Sequence, residues 1–466
     1  MKKIVCICIA LLLSIGVPFV WISGAVTQEK ENVSVSERVL HGNRSAANDL
    51  KVERLFGYDE HLYWRLTYHA GDMASYETDF FFTATEDYES AERTYQGFFV
   101  EEYISIGAEL DLPAEDQTGI AQKIKELYDK TPIGKENEQI ILLKDVYDYY
   151  PLEFHFSLPK ISWSGINYEN LRAGLDDDEK YVIDTFSNFF KIPLSDTAGY
   201  RVNINVYGKN NVSIGSTTVG DFYTPKTESV YTDSVCFFSL SNRANSGKII
   251  DFSSVQGGYG IYSFAYGYGT GLRKTGVDAD SLQMVYPLNE NETVLSLSLD
   301  EEQETLFIFT EDDRGFSLYA VNVATMQTEQ TLRFEDEKPL YVENCGDFFF
   351  VELNYDRILV IERKDDGLSC AFTVSLDHVN NKWFNSFCAK SFDGERLALV
   401  SELYEDESTY LPLCGFDLAV YDETGLIFHA EYLTDIEPNI LHAHRDLNTL
   451  PAEAKASLFW EKKNDN

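Results

Sequence analysis

Three copies of one short phrase recur in the C-terminal half of the chain, and no other feature restricts its fold as strongly. The copies read LSLDEEQETLFIFTEDD around Asp300, ENCGDFFFVEL around Asp347 and AKSFDGERLALVSE around Asp393, with a spacing of about 46 residues. Each copy supplies an apolar strand after a turn. A period of this length is typical of small antiparallel sheets that stack on copies of themselves, because one sheet cannot bury both of its faces. The repeat therefore predicts a β-propeller.

The rest of the chain carries an all-β pattern. Its 29 Tyr and 31 Phe residues occur in short alternating runs separated by Gly, Asn and Asp, which is typical of strands and turns. Four strands are predicted at 51–57, 60–69, 77–85 and 96–106, the content of one blade. The period predicts about seven or eight four-stranded blades in total. The alternative is a separate α+β domain before a smaller propeller, with a boundary near residue 225.

Two segments have helical rather than strand periodicity. Residues 114–130 and 179–191 each place apolar side chains at helical spacing after acidic residues, which predicts short helices inserted between the sheets. Further along, Val202 to Tyr207 and Val212 to Thr218 flank the turn sequence GKNN, which predicts a hairpin.

The N-terminus predicts export. Met1-Lys2-Lys3 precedes an uncharged apolar run that ends at Val26, the arrangement of a signal peptide. A run of this length could also remain as a membrane-spanning anchor, and the two alternatives stay open. Residues 27–49 are polar and predict a spacer.

The net charge of −39 restricts the partners. A strongly acidic surface repels nucleic acid and anionic lipid, and it attracts Ca²⁺ and basic proteins. The same charge also keeps a secreted protein in solution, so it does not by itself identify a ligand.

One copy of the repeat resembles a known family. In SFDGERLALVSE, Ser391, Asp393 and Gly394 match the Ser-Pro-Asp-Gly phrase of the TolB-like propeller repeat, with Phe392 in the place of the proline. This resemblance implies propeller blades, and it implies no activity. A turn at this aspartate and glycine needs no family to explain it, since the carboxylate can accept backbone N–H groups and glycine can adopt a positive φ.

Familiar catalytic signatures are missing from the sequence. It contains no G-x-S-x-G, H-E-x-x-H, Walker phosphate loop or EF-hand loop. We therefore expect no catalytic residues. The alternative is a secreted carbohydrate-active or other hydrolase whose carboxylates are distant in sequence and converge in the fold.

Two groups of residues are candidates for metal binding. Asp176, Asp177 and Asp178 form a run of carboxylates, and His442 and His444 form the densest histidine group. Oxygen-rich loops suit Ca²⁺ and imidazoles suit transition metals. The acidic run also precedes a predicted helix, where carboxylates stabilise the N-terminus without any ion. We expect no cofactor other than Ca²⁺.

The candidate ligand-binding segment is GGYGIYSFAYGYGTGLRKTG, from Gly257 to Gly276. Aromatic faces between glycines, next to basic residues, suit sugars, peptides or a partner's loop. The alternative is a hairpin whose tyrosines pack in the core. The candidate residues are Tyr259, Tyr262, Tyr266, Tyr268, Arg273 and Lys274.

These observations predict an exported or membrane-tethered β-propeller that binds, scaffolds or senses outside the cytoplasm without catalysis. Its expected partner is a protein or carbohydrate ligand, and its contact with the membrane is through the N-terminal segment alone. The expected organisation is a leader or anchor at 1–26, a spacer at 27–49, a β-rich part with helical insertions at 50–225, propeller blades at 226–446 and a tail at 447–466.

Overall fold

The computed structural model describes most of the chain after the predicted leader. The described residues are 33–58, 62–82, 97–102, 119–159, 161–166, 175–208, 211–267, 274–300, 302, 304–354, 356–364, 367–376, 387–403, 415–435 and 456–461. They contain 27 strands and two α-helices. Within these residues, neither helix has the length and hydropathy needed to cross a bilayer.

The helices are α1, Gly119–Lys130, and α2, Asp177–Phe189. The strands, in chain order, are β1 Val35–Gly42, β2 Leu50–Tyr58, β3 Leu62–His69, β4 Ser75–Phe82, β5 Gly97–Glu102, β6 Lys135–Leu142, β7 Leu152–Leu158, β8 Ile161–Ile166, β9 Gly199–Gly208, β10 Asn211–Val219, β11 Thr227–Tyr231, β12 Val235–Leu240, β13 Gly260–Tyr266, β14 Val277–Pro287, β15 Thr293–Asp300, β16 Thr305–Asp312, β17 Gly315–Asn322, β18 Gln327–Glu335, β19 Pro339–Cys345, β20 Phe348–Leu353, β21 Arg357–Lys364, β22 Gly367–Ser375, β23 Phe387–Phe392, β24 Leu397–Ser401, β25 Gly415–Asp422, β26 Gly425–Thr434 and β27 Ala456–Trp460.

The contacts divide the chain into two compact units. The first contains the described residues up to 82 and from 340 onward, and its sheets have the strand orders β1-β26-β25-β24-β23, β27-β2-β3-β4 and β19-β20-β21-β22. The second contains the described residues from 97 to 339, with the orders β11-β12-β13-β14, β15-β16-β17-β18, β5-β7-β8 and β10-β9-β6. The all-β class is confirmed, as are the four-stranded antiparallel sheets expected of a β-propeller and the two helical insertions.

The repeated phrase lies where one strand connects to the next in three sheets. Asp300 ends β15, Asp347 lies between β19 and β20, and Asp393 lies between β23 and β24. Asp393 accepts hydrogen bonds from the backbone N–H groups of Glu395 and Arg396, at 2.9 and 2.7 Å, and Gly394 has a φ of +102°. The turn chemistry predicted from the sequence is therefore present at this copy.

The ends of the described chain complete two sheets of the first unit. β27 pairs with β2, in the register Leu50 to Trp460, and β1 pairs with β26 and forms the edge of that sheet. Arg396 joins these segments, since its guanidinium lies 4.1 Å from the Trp460 ring centroid and donates a hydrogen bond to the Ala46 carbonyl at 2.8 Å. The four strands predicted between 51 and 106 do not form one blade. Instead, β27 is the fourth strand of the sheet that contains β2, β3 and β4, and β5 pairs with β7 in another sheet. The sequence could not predict these pairings, because strands that pair with distant segments leave no local pattern.

An ion triad with two buried members, Lys390 and Glu352, connects two sheets of the first unit. Lys390, on β23, lies 2.6 Å from Glu343 on β19 and 3.1 Å from Glu352 on β20. The exposed fractions of the Lys390 and Glu352 side chains are 3% and 7%. Burial raises the pKa of Glu352 although Lys390 acts to lower it, and the two carboxylates raise the pKa of Lys390 although burial acts to lower it. The sheets are thus joined by a desolvated charge cluster as well as by apolar side chains.

Strands β25 and β26 carry a histidine–aspartate pair. The imidazole Nε2 of His429 lies 2.9 Å from both carboxylate oxygens of Asp417. Burial disfavours the imidazolium, but the hydrogen bond and charge of Asp417 outweigh this effect and raise the pKa of His429.

Candidate functional site

Helix α2 begins at the acidic run that is a candidate for metal binding. Asp176 is its N-cap residue and accepts hydrogen bonds from the N–H groups of Asp178 and Glu179, both at 2.9 Å. The Glu179 carboxylate accepts the Asp176 N–H at 2.8 Å, which completes a capping box. These backbone hydrogen bonds, that of Glu179 first, lower the pKa of Asp176. Asp176 therefore caps the N-terminus of α2.

The structure brings together no metal ligands in the parts of the chain that it describes, where no group of three His, Cys, Asp or Glu side chains could hold an ion. His442 and His444 lie outside those parts. Metal binding by the five candidate residues remains a prediction.

The tyrosines of the glycine-rich segment face the protein interior. Tyr259, Tyr262 and Tyr266 have exposed fractions of 5%, 0% and 4%. The Tyr262 hydroxyl donates to the Gly258 carbonyl at 2.5 Å, and that of Tyr266 donates to the Thr232 carbonyl. The rings are part of the core of the second unit, as the packing alternative predicts.

Of the three remaining candidates in that segment, only Lys274 lies within the described residues. Lys274 is exposed, and its backbone N–H lies 3.5 Å from the carboxylate of Asp178. Tyr268 and Arg273 lie outside the described residues. Ligand binding by this segment remains a prediction.

A pocket of about 410 Å³ opens at the other end of α2. One wall is formed by residues 146–152, which precede and begin β7, and the other by Ser187, Asn188, Phe190 and Lys191 at the end of the helix. The volume lies within the range of small-molecule sites. Three tyrosines, two small polar side chains and two charged ones contribute to its lining, so it offers aromatic faces together with hydrogen-bonding groups.

Hydrogen bonds hold the tyrosine wall in place. The Tyr147 hydroxyl accepts the N–H of Ile120, in the first turn of α1, at 3.1 Å. Tyr150 donates its N–H to the Ile192 carbonyl at 3.0 Å and its hydroxyl to the Asp221 carbonyl at 3.3 Å. Burial raises the pKa of Tyr150 to about 12. The wall is preformed, which reduces the entropy cost of binding.

Tyr149 is the exposed aromatic residue of this wall. Its exposed fraction is 41%, and the ammonium of Lys191 lies 5.9 Å from its ring centroid. Asn188 and Asp148 are also exposed. These side chains are available to a ligand without any rearrangement of the core.

The glycine-rich segment supports the pocket from behind. The ring of Tyr262 packs edge-on against Phe190 at 5.0 Å, and the N–H of Gln256 donates to the Phe189 carbonyl at 3.1 Å. Sequence reasoning missed the pocket itself. The available indication was the run Tyr147-Asp148-Tyr149-Tyr150-Pro151, which places three tyrosines before a proline outside any periodic pattern.

Comparisons with known proteins identify no family. No family model matches the sequence, and no curated protein matches it. The TolB-like resemblance thus remains a prediction. Solved structures do match, and three of them are a candidate 6-phosphogluconolactonase of Bacteroides uniformis, the Swd1 β-propeller domain of Myceliophthora thermophila and the Pan2 WD40 domain of Neurospora crassa.

These three structures are 12%, 11% and 8% identical to the chain, with TM-scores of 0.25, 0.23 and 0.23. The matches cover 50%, 50% and 49% of this chain and 64%, 82% and 60% of the others. The chain thus spans less than two thirds of the first and third proteins. Similarities this low support no statement about activity or partners, and the fold class is based on the sheets themselves.

Proposed function

We propose that this protein is a non-catalytic binding or scaffolding β-propeller that acts outside the cytoplasm, and that its ligand occupies the pocket between residues 146–152 and the end of α2. The observation that carries the proposal is a preformed pocket with an exposed tyrosine, Tyr149, beside a lysine, Lys191. Aromatic residues in such settings dominate the energy of recognition. Export, by secretion or with an anchor, is supported by the apolar N-terminal run alone.

The test is a binding screen of the purified full chain against glycan and peptide arrays, followed by calorimetry on every positive probe. Substituting Tyr149→Ala should weaken binding at least about tenfold, since aromatic anchors contribute more than 1 kcal/mol. The matched control is Tyr207→Ala, because Tyr207 has an exposed fraction of 63% and lies outside the pocket. A blank screen would count against recognition as the function, and equal losses in both variants would count against the pocket.

A further inference from the structure

The pocket contains the ammonium group of Lys191, which no carboxylate of the described residues pairs with. Lys191 is half-buried and forms no ion pair with any residue that the structure describes. The chain contains 77 acidic and 38 basic residues, so acidic partners are plentiful. The C-terminal end of α2 favours a cation at this position, but it does not neutralise the ammonium. The positive charge of Lys191 therefore lies beside the Tyr149 ring with no carboxylate of the described part of the chain paired to it.

Asp148 is the other charged residue of the pocket lining. It is exposed and is not paired with Lys191. The lysine is partly desolvated and the aspartate is open to water. Because water screens an exposed charge more than a half-buried one, the lysine has the stronger influence on a charged ligand inside the pocket.

The uncharged lining selects a hydroxylated ligand. Tyr149 offers a ring face, Tyr147 and Tyr150 form a fixed aromatic wall, and Ser187 and Asn188 supply hydroxyl and amide groups. Ring faces pack against the C–H surface of a sugar, and hydroxyl and amide groups satisfy its hydroxyls. A peptide would use a more apolar cleft, or an open sheet edge, for its backbone.

We infer that the pocket binds a carboxylate-bearing sugar, such as a uronic acid unit of an acidic polysaccharide. The sugar ring lies against Tyr149 and its carboxylate accepts a hydrogen bond from the Lys191 ammonium. This inference rests on the proposed function and specifies the ligand class of the same site.

The experiment is calorimetric titration of the full chain with three probes of matched length: oligogalacturonate, neutral galacto-oligosaccharide and cationic chitosan oligomers. We expect oligogalacturonate to bind at least about tenfold more tightly than the neutral probe. Lys191→Gln should weaken the binding of oligogalacturonate about tenfold and leave the affinity for the neutral probe unchanged. Asp148→Asn should strengthen the binding of oligogalacturonate. Lys144→Gln, which removes the same charge outside the pocket, is the control and should change affinity less than about twofold.

The outcomes separate the inference from the proposed function. Binding of the neutral probe that depends on Tyr149 but not on Lys191 overturns the acidic-sugar inference and leaves the binding function standing. A preference for chitosan, or for a poly-glutamate peptide added as a fourth probe, also overturns it. The absence of binding to any carbohydrate or peptide overturns both. Thermal unfolding of each variant verifies that lost binding is not lost folding.

Discussion

Removing Lys390 should destabilise the first unit more than any single surface charge. Lys390→Met leaves Glu343 and Glu352 close together with no cation between them, and the Glu352 side chain is only 7% exposed. Deleting one partner of a buried ion pair costs about 3–5 kcal/mol, because the charge that remains is desolvated and unpaired. For a unit of this size, 1 kcal/mol corresponds to about 2–4 °C in Tm. The expected decrease is therefore about 6–20 °C.

The assay is urea and thermal unfolding at pH 7.5, followed by tryptophan fluorescence, to which Trp64 and Trp460 of the same unit contribute. The control is Lys364→Met. Lys364 pairs with Glu362 at 2.8 Å, but its side chain is 53% exposed, so its loss should cost less than about 1 kcal/mol. Neutralising both carboxylates as well, with Glu343→Gln and Glu352→Gln, should restore most of the stability.

The pH dependence gives an independent check of the same reasoning. Lys390 acts to lower the pKa of Glu352, which burial has raised, so its removal should raise that pKa further. A carboxyl group with a raised folded-state pKa stabilises the fold at acidic pH, and this contribution is lost as the pH rises. The loss of unfolding free energy caused by Lys390→Met should therefore be smaller at pH 5 than at pH 7.5. A loss below 1 kcal/mol, or a deficit that does not change with pH, would refute the assignment of a desolvated charge cluster.

Three further predictions concern single elements. Replacing the N-cap with Asp176→Ala should speed hydrogen exchange in the first turn of α2, whereas Asp177→Ala, which removes a first-turn charge but no capping hydrogen bond, should have a smaller effect. Because the pKa of His429 is raised, its stabilising contribution is complete below the unfolded value of 6.5 and is lost as the pH rises through the folded-state pKa; His429→Gln should flatten the decline in the free energy of unfolding between pH 6 and 8, and a parallel decline would contradict the pairing. Leu458→Ala should cost about 2–3 kcal/mol of unfolding free energy by urea titration, because the side chain is buried on β27, while the exposed Ser457→Ala should be neutral; equal effects would mean that β27 does not close the β2 sheet.

Several local elements could be predicted from the sequence because their causes are local. The helix that begins after Asp176 has its capping box within four residues. The hairpin around GKNN appears as β9 and β10, and the turn at Asp393 and Gly394 has the expected hydrogen bonds. Each of these features depends on neighbours in the chain, so the pattern of residue types contains the information.

The candidate site was harder to predict because it depends on contacts between segments that are distant in the chain. The Asp176 run and the tyrosines around Tyr262 attracted attention by composition, yet one caps α2 and the other packs behind Phe190. The pocket joins residues 146–152 to residues 187–191. A pocket depends on which segments fold against each other, and no single segment records that arrangement.

By itself, the sequence determined the all-β class, the turns at Asp347 and Asp393, and the two helices, since period and turn chemistry act over a few residues. Only the tertiary structure decided that β27 completes the sheet of β2, that Lys390 lies between two glutamates, and that Lys191 lies beside Tyr149. These outcomes depend on the packing of distant segments, where burial and charge act between residues that share no local pattern.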